Sequence, residues 1–495
     1  RGALDAQGLL EFARAAHGEV PDGFDARGLA WFAYVTASRV ESPTRVADAV
    51  NLFDLALRAG GPRIFAKQLD FLWVQLLQIH GKLNEYESAL KCSNVPGDVW
   101  WAAYTDTLHP SNSNASLDQW LELLSQPLRE VGLEPVELLP DAGNMFDRVS
   151  ASTDGVKCDA GPLVSVVVPV FNPGPSIRTA VRSLVSQSWG NLEILLCDDA
   201  STKNLDLLHE MSELDDRIRV VRSPVNRGAY AARNMGLGYA QGEFVTFNDA
   251  DDWSHPRRVE RQMRAIEGSA ARASMSQSIR VTEQLRLTVV GRPPRRLNLS
   301  SMLFRREDVL TELGGFDAVR RGADSEFVNR FRTVFGASSI MELEEPLSLV
   351  QLTSGSLSRD DYRFLRTHPA RLQYVANFRS WHSNLRPESG EGYIAPGARA
   401  PFPAPEHIEG TATTKLWLDV LVLANLSKFA PTVPDLSSEM KALHKHGFNV
   451  GVAEYLAPFD ATDSIRLPRG GSLARLISTG AVHRILPGAR VECGA

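Results

Sequence analysis

The stretch Val164-Ser-Val-Val-Val-Pro-Val170 decides the fold. Five valines in seven positions make a strand covered on both faces rather than one. The pattern repeats downstream. Strands expected at Leu192 to Cys197, Ile218 to Arg222 and Phe244 to Phe247 alternate with helices expected at Ser176 to Ser188, Leu205 to Leu214 and Ala229 to Ala240. Such alternation gives a parallel sheet with helices on both faces. Ligands of these sheets bind outside the carboxyl ends of the strands. Acidic clusters stand at two of those ends: Asp198-Asp199 after Cys197, and Asn248-Asp249-Ala250-Asp251-Asp252-Trp253 after Phe247.

Outward from this core the character changes twice. Residues 1–155 read as a helical accessory domain. Asp48 to Arg58 places Val50, Phe53 and Leu57 near one face, and Gly60-Gly61-Pro62 stops that helix. Ile64 to Ile79 is a second helix ending near Gly81. After the polar loop Ser111 to Ser116, Leu117 to Gln126 is a third, ended or kinked by Pro127. Its Leu and aromatic positions suit packed helical hairpins, and a partner-binding surface is the alternative. Residues 156–396 form the α/β domain. Within 397–495, the Pro/Ala-rich Ala398 to Pro405 reads as a linker. Strand Leu416 to Leu423, helix Ser437 to His446 and strand Gly447 to Tyr455 then open a small or truncated α/β domain. The expected fold class is α/β: a mostly parallel sheet flanked by helices, an all-α region before it and a partial α/β domain after it.

Composition narrows the function. The 495 residues hold 53 Lys+Arg against 59 Asp+Glu, a net charge of −6, with 43% apolar and 23% charged residues. That is a globular chain without the basic balance of a general nucleic-acid binder. No apolar run approaches the ~18 residues of a membrane span; Val164 to Phe171 and Trp417 to Leu423 read as buried strands. The chain opens on Arg1 without a signal-peptide pattern, and this edge reads as a fragment boundary. Four cysteines without a CxxC suggest neither a disulfide framework nor a zinc site, and fit a reducing, cytoplasmic setting.

Four features carry chemistry. Asp249, Asp251 and Asp252 lie within four positions after an apolar strand. They need a counter-charge, and carboxylates suit Mg²⁺ or Mn²⁺; a solvated acidic turn has the same look. Asp198-Asp199 can accept from a nucleobase N–H or a ribose hydroxyl, or simply cap a strand end. Arg227 and Arg233 flank Gly228 at a helix start, a setting that favours phosphate, although surface arginines are the plainer reading. Asp324, in Gly322-Ala-Asp-Ser-Glu-Phe327 after Gly314-Gly-Phe-Asp317, can act as a general base; Glu326 and Asp317 are alternatives.

Taken in order, these stretches resemble the inverting, GT-A-fold, nucleotide-sugar glycosyltransferases of family 2. Val164 to Asn172 is similar to that family's first strand and loop. Ser186-Gln187-Ser188 with Leu192 to Ser201 is similar to its second strand and base-binding turn, and Asp249-Ala-Asp251 to its metal-binding DxD. The resemblance covers residues 162–360. It implies that Pro169 and Phe171 line the nucleotide pocket, that Asp199 bonds the base with Asp198 supporting the turn, and that Arg233 and Arg227 lie near the nucleotide. It implies Asp249 at the ribose or donor sugar, Asp251 on the metal, and Asp324 as the base. It also implies that Asp252, Trp253 and the stretch Ser300-Ser301-Met302 border the sugar and acceptor. The usual Gly of the turn after the paired Asp is Ala200 here, and the usual Glu before the base is Ala323. No Gln-x-x-Arg-Trp stretch of processive synthases occurs.

The expected activity is therefore metal-dependent, inverting transfer from a nucleotide-sugar, with UDP expected by family frequency alone, to a glycan or lipid-linked acceptor in bacterial cell-envelope polysaccharide synthesis. A peripheral contact with the inner membrane face is compatible with it. The competing expectations are a catalytically silent nucleotide-sugar-binding scaffold and a sugar-nucleotide nucleotidyltransferase. The latter lacks its Gly-rich phosphate loop, because Pro169 to Gly174 occupies that place. Lys415 to Tyr455 faintly resembles the first half of a Rossmann-like domain of the two-domain glycosyltransferase fold.

Overall fold

The computed structural model describes residues 6–15, 25–37, 43–61, 67–86, 95–112, 115–140, 143–152, 157–158, 160–353, 362–363, 366–386, 389–410, 416–424, 433–454, 473, 476–477, 479–485 and 491–493. The chain divides into two compact units. One comprises residues 1–152 with 278–296 and 349–353; the other comprises 153–277, 297–348 and 354–495. No helix among the described residues is long and apolar enough to cross a membrane.

The first unit is built on helices α1 (Ala6–Ala15), α2 (Ala26–Ala37), α3 (Pro43–Gly60), α4 (Lys67–Ile79), α5 (Gly97–Thr107) and α6 (Leu117–Leu124). Val50 and Phe53 are buried as their spacing requires, but the buried stripe also takes in Leu52, Leu55 and Ala56, and Leu57 lies at its margin. Ser116 caps α6 by accepting from Gln119 N while the Gln119 side chain returns to Ser116 N. Pro127 does not merely end α6. It starts a second short helix, Gln126–Arg129, where a missing N–H costs nothing. The unit also gathers the excursion 278–296. The buried Asp106 carboxylate accepts from Leu287 N and Thr288 N, Gln75 bridges Gly291 N and Arg292 O, and His109 Nε2 meets Gln284 O at 2.8 Å.

The second unit carries strands β1 (Val164–Val170), β2 (Leu192–Asp198), β3 (Ile218–Arg222), β4 (Phe244–Phe247), β5 (Trp253–Ser254), β6 (Ala273–Val281), β7 (Arg295–Leu297), β8 (Leu303–Arg305) and β9 (Ile340–Gln351), of which β6, β7 and β9 run on into the segments grouped with the helices. The sheet order is β3-β2-β1-β4-β8-β6-β9-β5, with β7 on β6. Strands β3, β2, β1 and β4 are parallel, and β8 is antiparallel to both neighbours. Helices α7 (Ile177–Val185), α8 (Leu205–Ser212), α9 (Ala229–Tyr239), α10 (Arg258–Ile266), α11 (Ala323–Phe335) and α12 (Pro369–His382) complete it. Successive β1 residues go to opposite faces: Val166 and Val168 pack with Ile177, Val181 and Val259, whereas Val167 packs with Leu237, Phe247 and Phe327. Gly236 lets α9 approach closely, since a Cβ there would collide with Val167 and Cys197.

The chain steps from β1 to β2 to β3, then returns to the other side of β1 as β4. That reversal places a crevice outside the carboxyl ends of β1 and β4.

Two expectations are corrected beyond the sheet. The stretch 398–405 is not a free linker: Ala400 and Phe402 are buried in the core, and Ala400 N donates to Asp317 Oδ1 at 2.9 Å. Leu416 to Leu423 is not one buried strand. It breaks at Asp419, whose carboxylate accepts from Asn449 N at 2.7 Å, into β10 (Leu416–Leu418) and β11 (Val420–Ala424), and Trp417 and Leu423 are exposed. Helix α13 (Val433–Lys445) and strand β12 (Val450–Glu454) follow, with β13 (His483–Ile485) extending a parallel β11-β12-β13 sheet and β14 (Val491–Cys493) pairing β10.

Candidate active site

The crevice is walled by the loops that leave β1, β2, β3 and β4. Asn172 ties the first two together: its N–H donates to Ser201 Oγ, and its Oδ1 accepts from Thr202 N and Lys203 N. Asp198 is buried, accepting from Ser201 N at 2.9 Å and pairing with Arg222 at 3.2 Å. The first contact holds the turn that follows β2. Pro169 lies within β1, partly buried, and Phe171 just beyond it is 51% exposed, an aromatic ring open to the crevice end of the sheet.

Asp199 has a role that sequence did not anticipate. Its oxygens accept from Arg227 N at 2.9 Å and 3.1 Å and from Gly228 N at 2.6 Å. It therefore closes the turn that launches α9. Arg227 itself is exposed at the head of that helix.

Helix α9 then delivers Arg233, 4% exposed, into the site. Its Nη2 donates to Asp249 Oδ1 at 2.6 Å and to Ser300 Oγ at 3.0 Å, and Ser300 Oγ lies 3.2 Å from Asp249 Oδ2. The guanidinium sits against the rings of Tyr230, Phe247 and Phe316. Burial opposes its charge, but Asp249 above all outweighs this and holds its pKa above the ordinary value.

Asp251, two residues on, is half-buried. Desolvation and the neighbouring Asp249 push its carboxyl up to about 6. Asp249 already has Arg233 beside it, whereas the desolvated Asp251 carboxyl is a hard oxygen donor of the kind a Mg²⁺ or Mn²⁺ ion satisfies while taking its remaining ligands from phosphates, so Asp251 fits such an ion. Asp252 points the other way: it is buried, and its charge faces the fully buried Arg258, which burial lowers to about 10.

Trp253, Ser301 and Met302, expected to border the sugar, are buried at 1–2% exposure. They lie behind the wall because Ser301 is spent internally, its Oγ donating to Asn298 O and accepting from Ser276 N. Of that stretch it is Ser300 that meets the cluster, its Oγ lying by Arg233 and Asp249.

Asp324 occupies the first turn of α11, a quarter exposed, with Oδ1 accepting from Ser325 N at 2.8 Å. The turn before it is anchored by Gly322 N donating to the Tyr230 hydroxyl at 3.1 Å. Tyr230 and Arg233 both lie within electrostatic reach of Asp324. The two alternatives are committed elsewhere. Glu326 is fully buried against Arg330 at 2.8 Å and His382 at 3.0 Å; Asp317 is fully buried and accepts from Tyr374 Oη and Ala400 N. Tyr230 was missed in the sequence, although it sits three residues before Arg233, the spacing that puts both on one helix face.

Residues 165–327 match the model of the glycosyl transferase family 2 family. This segment is a family 2 glycosyltransferase domain. The chain is 37% identical over 103 residues to an uncharacterized glycosyltransferase of Haemophilus influenzae, covering 21% of this chain and 41% of that one. It is 30% identical over 142 residues to the Escherichia coli UDP-Glc:alpha-D-GlcNAc-diphosphoundecaprenol beta-1,3-glucosyltransferase WfaP, covering 28% of this chain and 55% of that one. The chain thus spans about half or less of these relatives. A crystal structure of Staphylococcus aureus TarS 1–349 in complex with UDP is 18% identical, with a TM-score of 0.36 over 46% of this chain and 68% of that one.

Proposed function

We propose that the protein is an inverting glycosyltransferase that uses a divalent metal to move a sugar from a nucleotide-sugar, UDP-linked, to a hydroxyl of a glycan or lipid-linked acceptor in cell-envelope polysaccharide synthesis. The observation that carries this reading is the Arg233–Asp249–Ser300 cluster beside the charge-starved Asp251, at the reversal point of the sheet. The name of the E. coli relative, with its UDP-Glc donor and lipid-diphosphate acceptor, supports the substrate classes.

In this reading Phe171 offers the base an apolar face, and the Asp199 turn presents Arg227 and the head of α9 to the nucleotide. Arg233 fixes Asp249 toward the ribose or donor sugar. Asp251 is the protein's ligand to Mn²⁺ or Mg²⁺, which when bound offsets the charge of the departing diphosphate. Asp324 takes the proton of the acceptor hydroxyl as its oxygen attacks the anomeric carbon. A single displacement inverts that carbon, so an α-linked donor yields a β-glycoside.

The test is thermal stabilisation by UDP-glucose, UDP-N-acetylglucosamine and GDP-mannose, each with and without Mn²⁺. Stabilisation by a UDP-sugar that needs the metal and vanishes in Asp251→Ala is expected. Binding of none of the three, or binding undiminished in Asp251→Ala, would overturn the reading.

A further inference from the structure

We infer that Arg371 is a positioning residue for Asp324: its guanidinium aims the carboxylate and keeps it ionised, ready to accept a proton. This rests on the reading of Asp324 as the base. Arg371 lies 47 residues further along the chain, in the first turn of α12, and is 6% exposed. Its helix starts at His368, whose Nδ1 accepts from Ala370 N at 3.2 Å, so the first turn is held in place by its own cap.

Three contacts join Arg371 to the turn that carries the base. Its Nη2 lies 3.4 Å from Asp324 Oδ1 and 2.8 Å from Ser325 Oγ. The third is steric. Gly322 has φ +80, and a Cβ built on it would collide with the Arg371 guanidinium, which therefore lies against bare backbone. The turn is shaped around this side chain: a left-handed glycine makes room for it, a serine fixes it, and the carboxylate between them receives its charge. A cation at this distance favours the ionised form of a carboxylate, and a two-point hold limits the rotation of Asp324.

Among the described residues, Tyr230 and Arg233 of α9 also face Asp324. Tyr230 is neutral there, since burial raises its hydroxyl well above the ordinary value. Arg233 is the second cation, but its Nη2 is engaged by Asp249. On α12 itself, His368 stacks on His407 at 3.9 Å, three residues before Arg371. Arg371 is thus the cation in direct contact with the Asp324 carboxylate among these groups.

The experiment reads the carboxylate itself. Protein labelled with ¹³C at the Asp carboxyl carbon is titrated by NMR, the Asp324 resonance being assigned by its loss in Asp324→Asn. The Asp324 midpoint is expected to rise by about one pH unit in Arg371→Gln, and to return toward the parent value in Arg371→Lys. Ser325→Ala, which removes one anchor and keeps the charge, is expected to raise it less and serves if Arg371→Gln does not fold. A midpoint that stays put in the folded variants overturns the inference. Metal-dependent hydrolysis of UDP-glucose and UDP-N-acetylglucosamine separates this from the underlying assignment. Inactive Asp324→Asn with an unmoved midpoint in Arg371→Gln leaves the base in place without Arg371. Asp324→Asn that turns over at the parent rate removes both.

Discussion

Arg233 Nη2 stands 2.6 Å from Asp249 Oδ1, a cation buried in aromatic rings joined to a carboxylate that is 35% exposed. The pair connects α9 to the loop after β4, so it sets the shape of the crevice from two elements at once. Losing either partner strands the other. Because Asp249 is partly solvated, the cost is discounted from that of a fully buried pair to about 1–3 kcal/mol. Arg233→Met and Asp249→Asn should each lower stability by this order. The double variant should cost less than their sum, which a denaturant-melt cycle measures.

In the proposed reading Asp199 serves both binding and folding with one carboxylate. It accepts three contacts from the Arg227 and Gly228 N–H groups, and the resemblance also asks it to meet the base. Asp199→Ala should weaken UDP binding by about 1–3 kcal/mol and destabilise the protein by a similar amount. Calorimetric titration and thermal melting must fall together. An affinity loss with an unchanged melt would show that the turn does not depend on this side chain.

Ala200, where the resemblance leads one to expect glycine, has a φ of +61, the left-handed region that favours glycine. A left-handed alanine costs about 1–2 kcal/mol, partly offset by the greater chain entropy that glycine would lose. Ala200→Gly should stabilise the protein by about 0.5–1 kcal/mol with nucleotide affinity preserved, read from the denaturation midpoint.

What was legible in sequence follows the range of the interactions. Strands at Ile218–Arg222 and Phe244–Phe247 have the ends their composition suggests: the first is a short β-branched edge strand with Arg219, Val220 and Arg222 exposed, and the second is buried throughout. The acidic residues at strand ends were legible because the sheet rule puts ligands there. Arg371 was not: nothing near residue 371 announces a partner 47 positions earlier. Nor was the packing of 398–405, where Pro and Ala composition gave no hint that Phe402 fills a core. The inward turn of Ser301 and Met302, against the outward Ser300, depends on a one-residue register that only packing decides.

Polar contacts tie the excursion 278–296 to the helical unit, among them those of the buried Asp106 carboxylate. Burial raises the Asp106 carboxyl even though the Leu287 and Thr288 N–H groups work against it. Replacing it by Ala leaves those two donors without their acceptor, at a cost of about 1–3 kcal/mol. A chain beginning at residue 156 removes the acceptor, Gln75 and His109 together. We expect it to retain slow donor hydrolysis but to be far more prone to aggregate than the full chain, measured by light scattering. A soluble, folded 156–495 chain that fails to bind donor would show that the helices complete the site.

Glu326 offers the sharpest pH test, because it separates a structural carboxylate from the proposed base two residues before it. Burial alone would raise its pKa, but Arg330 and His382 outweigh that and hold it below the ordinary 4.5. The native state therefore releases this proton at lower pH than the unfolded chain does. The stabilisation is full above about 4.5 and is lost as pH falls through the lower, folded value. Glu326→Gln breaks a fully buried pair and should destabilise by about 3–5 kcal/mol at pH 7. The gap to the parent should narrow as the pH falls below the ordinary 4.5 toward the lower, folded value, where the parent carboxyl also becomes neutral. Asp324→Asn should behave oppositely, with a melt close to the parent's, unchanged UDP affinity and transfer reduced by roughly 10²-fold. Parallel melts of the three proteins from pH 7 to pH 3.5 check this. A constant gap for Glu326→Gln across that range would mean its charge contributes nothing to the native state.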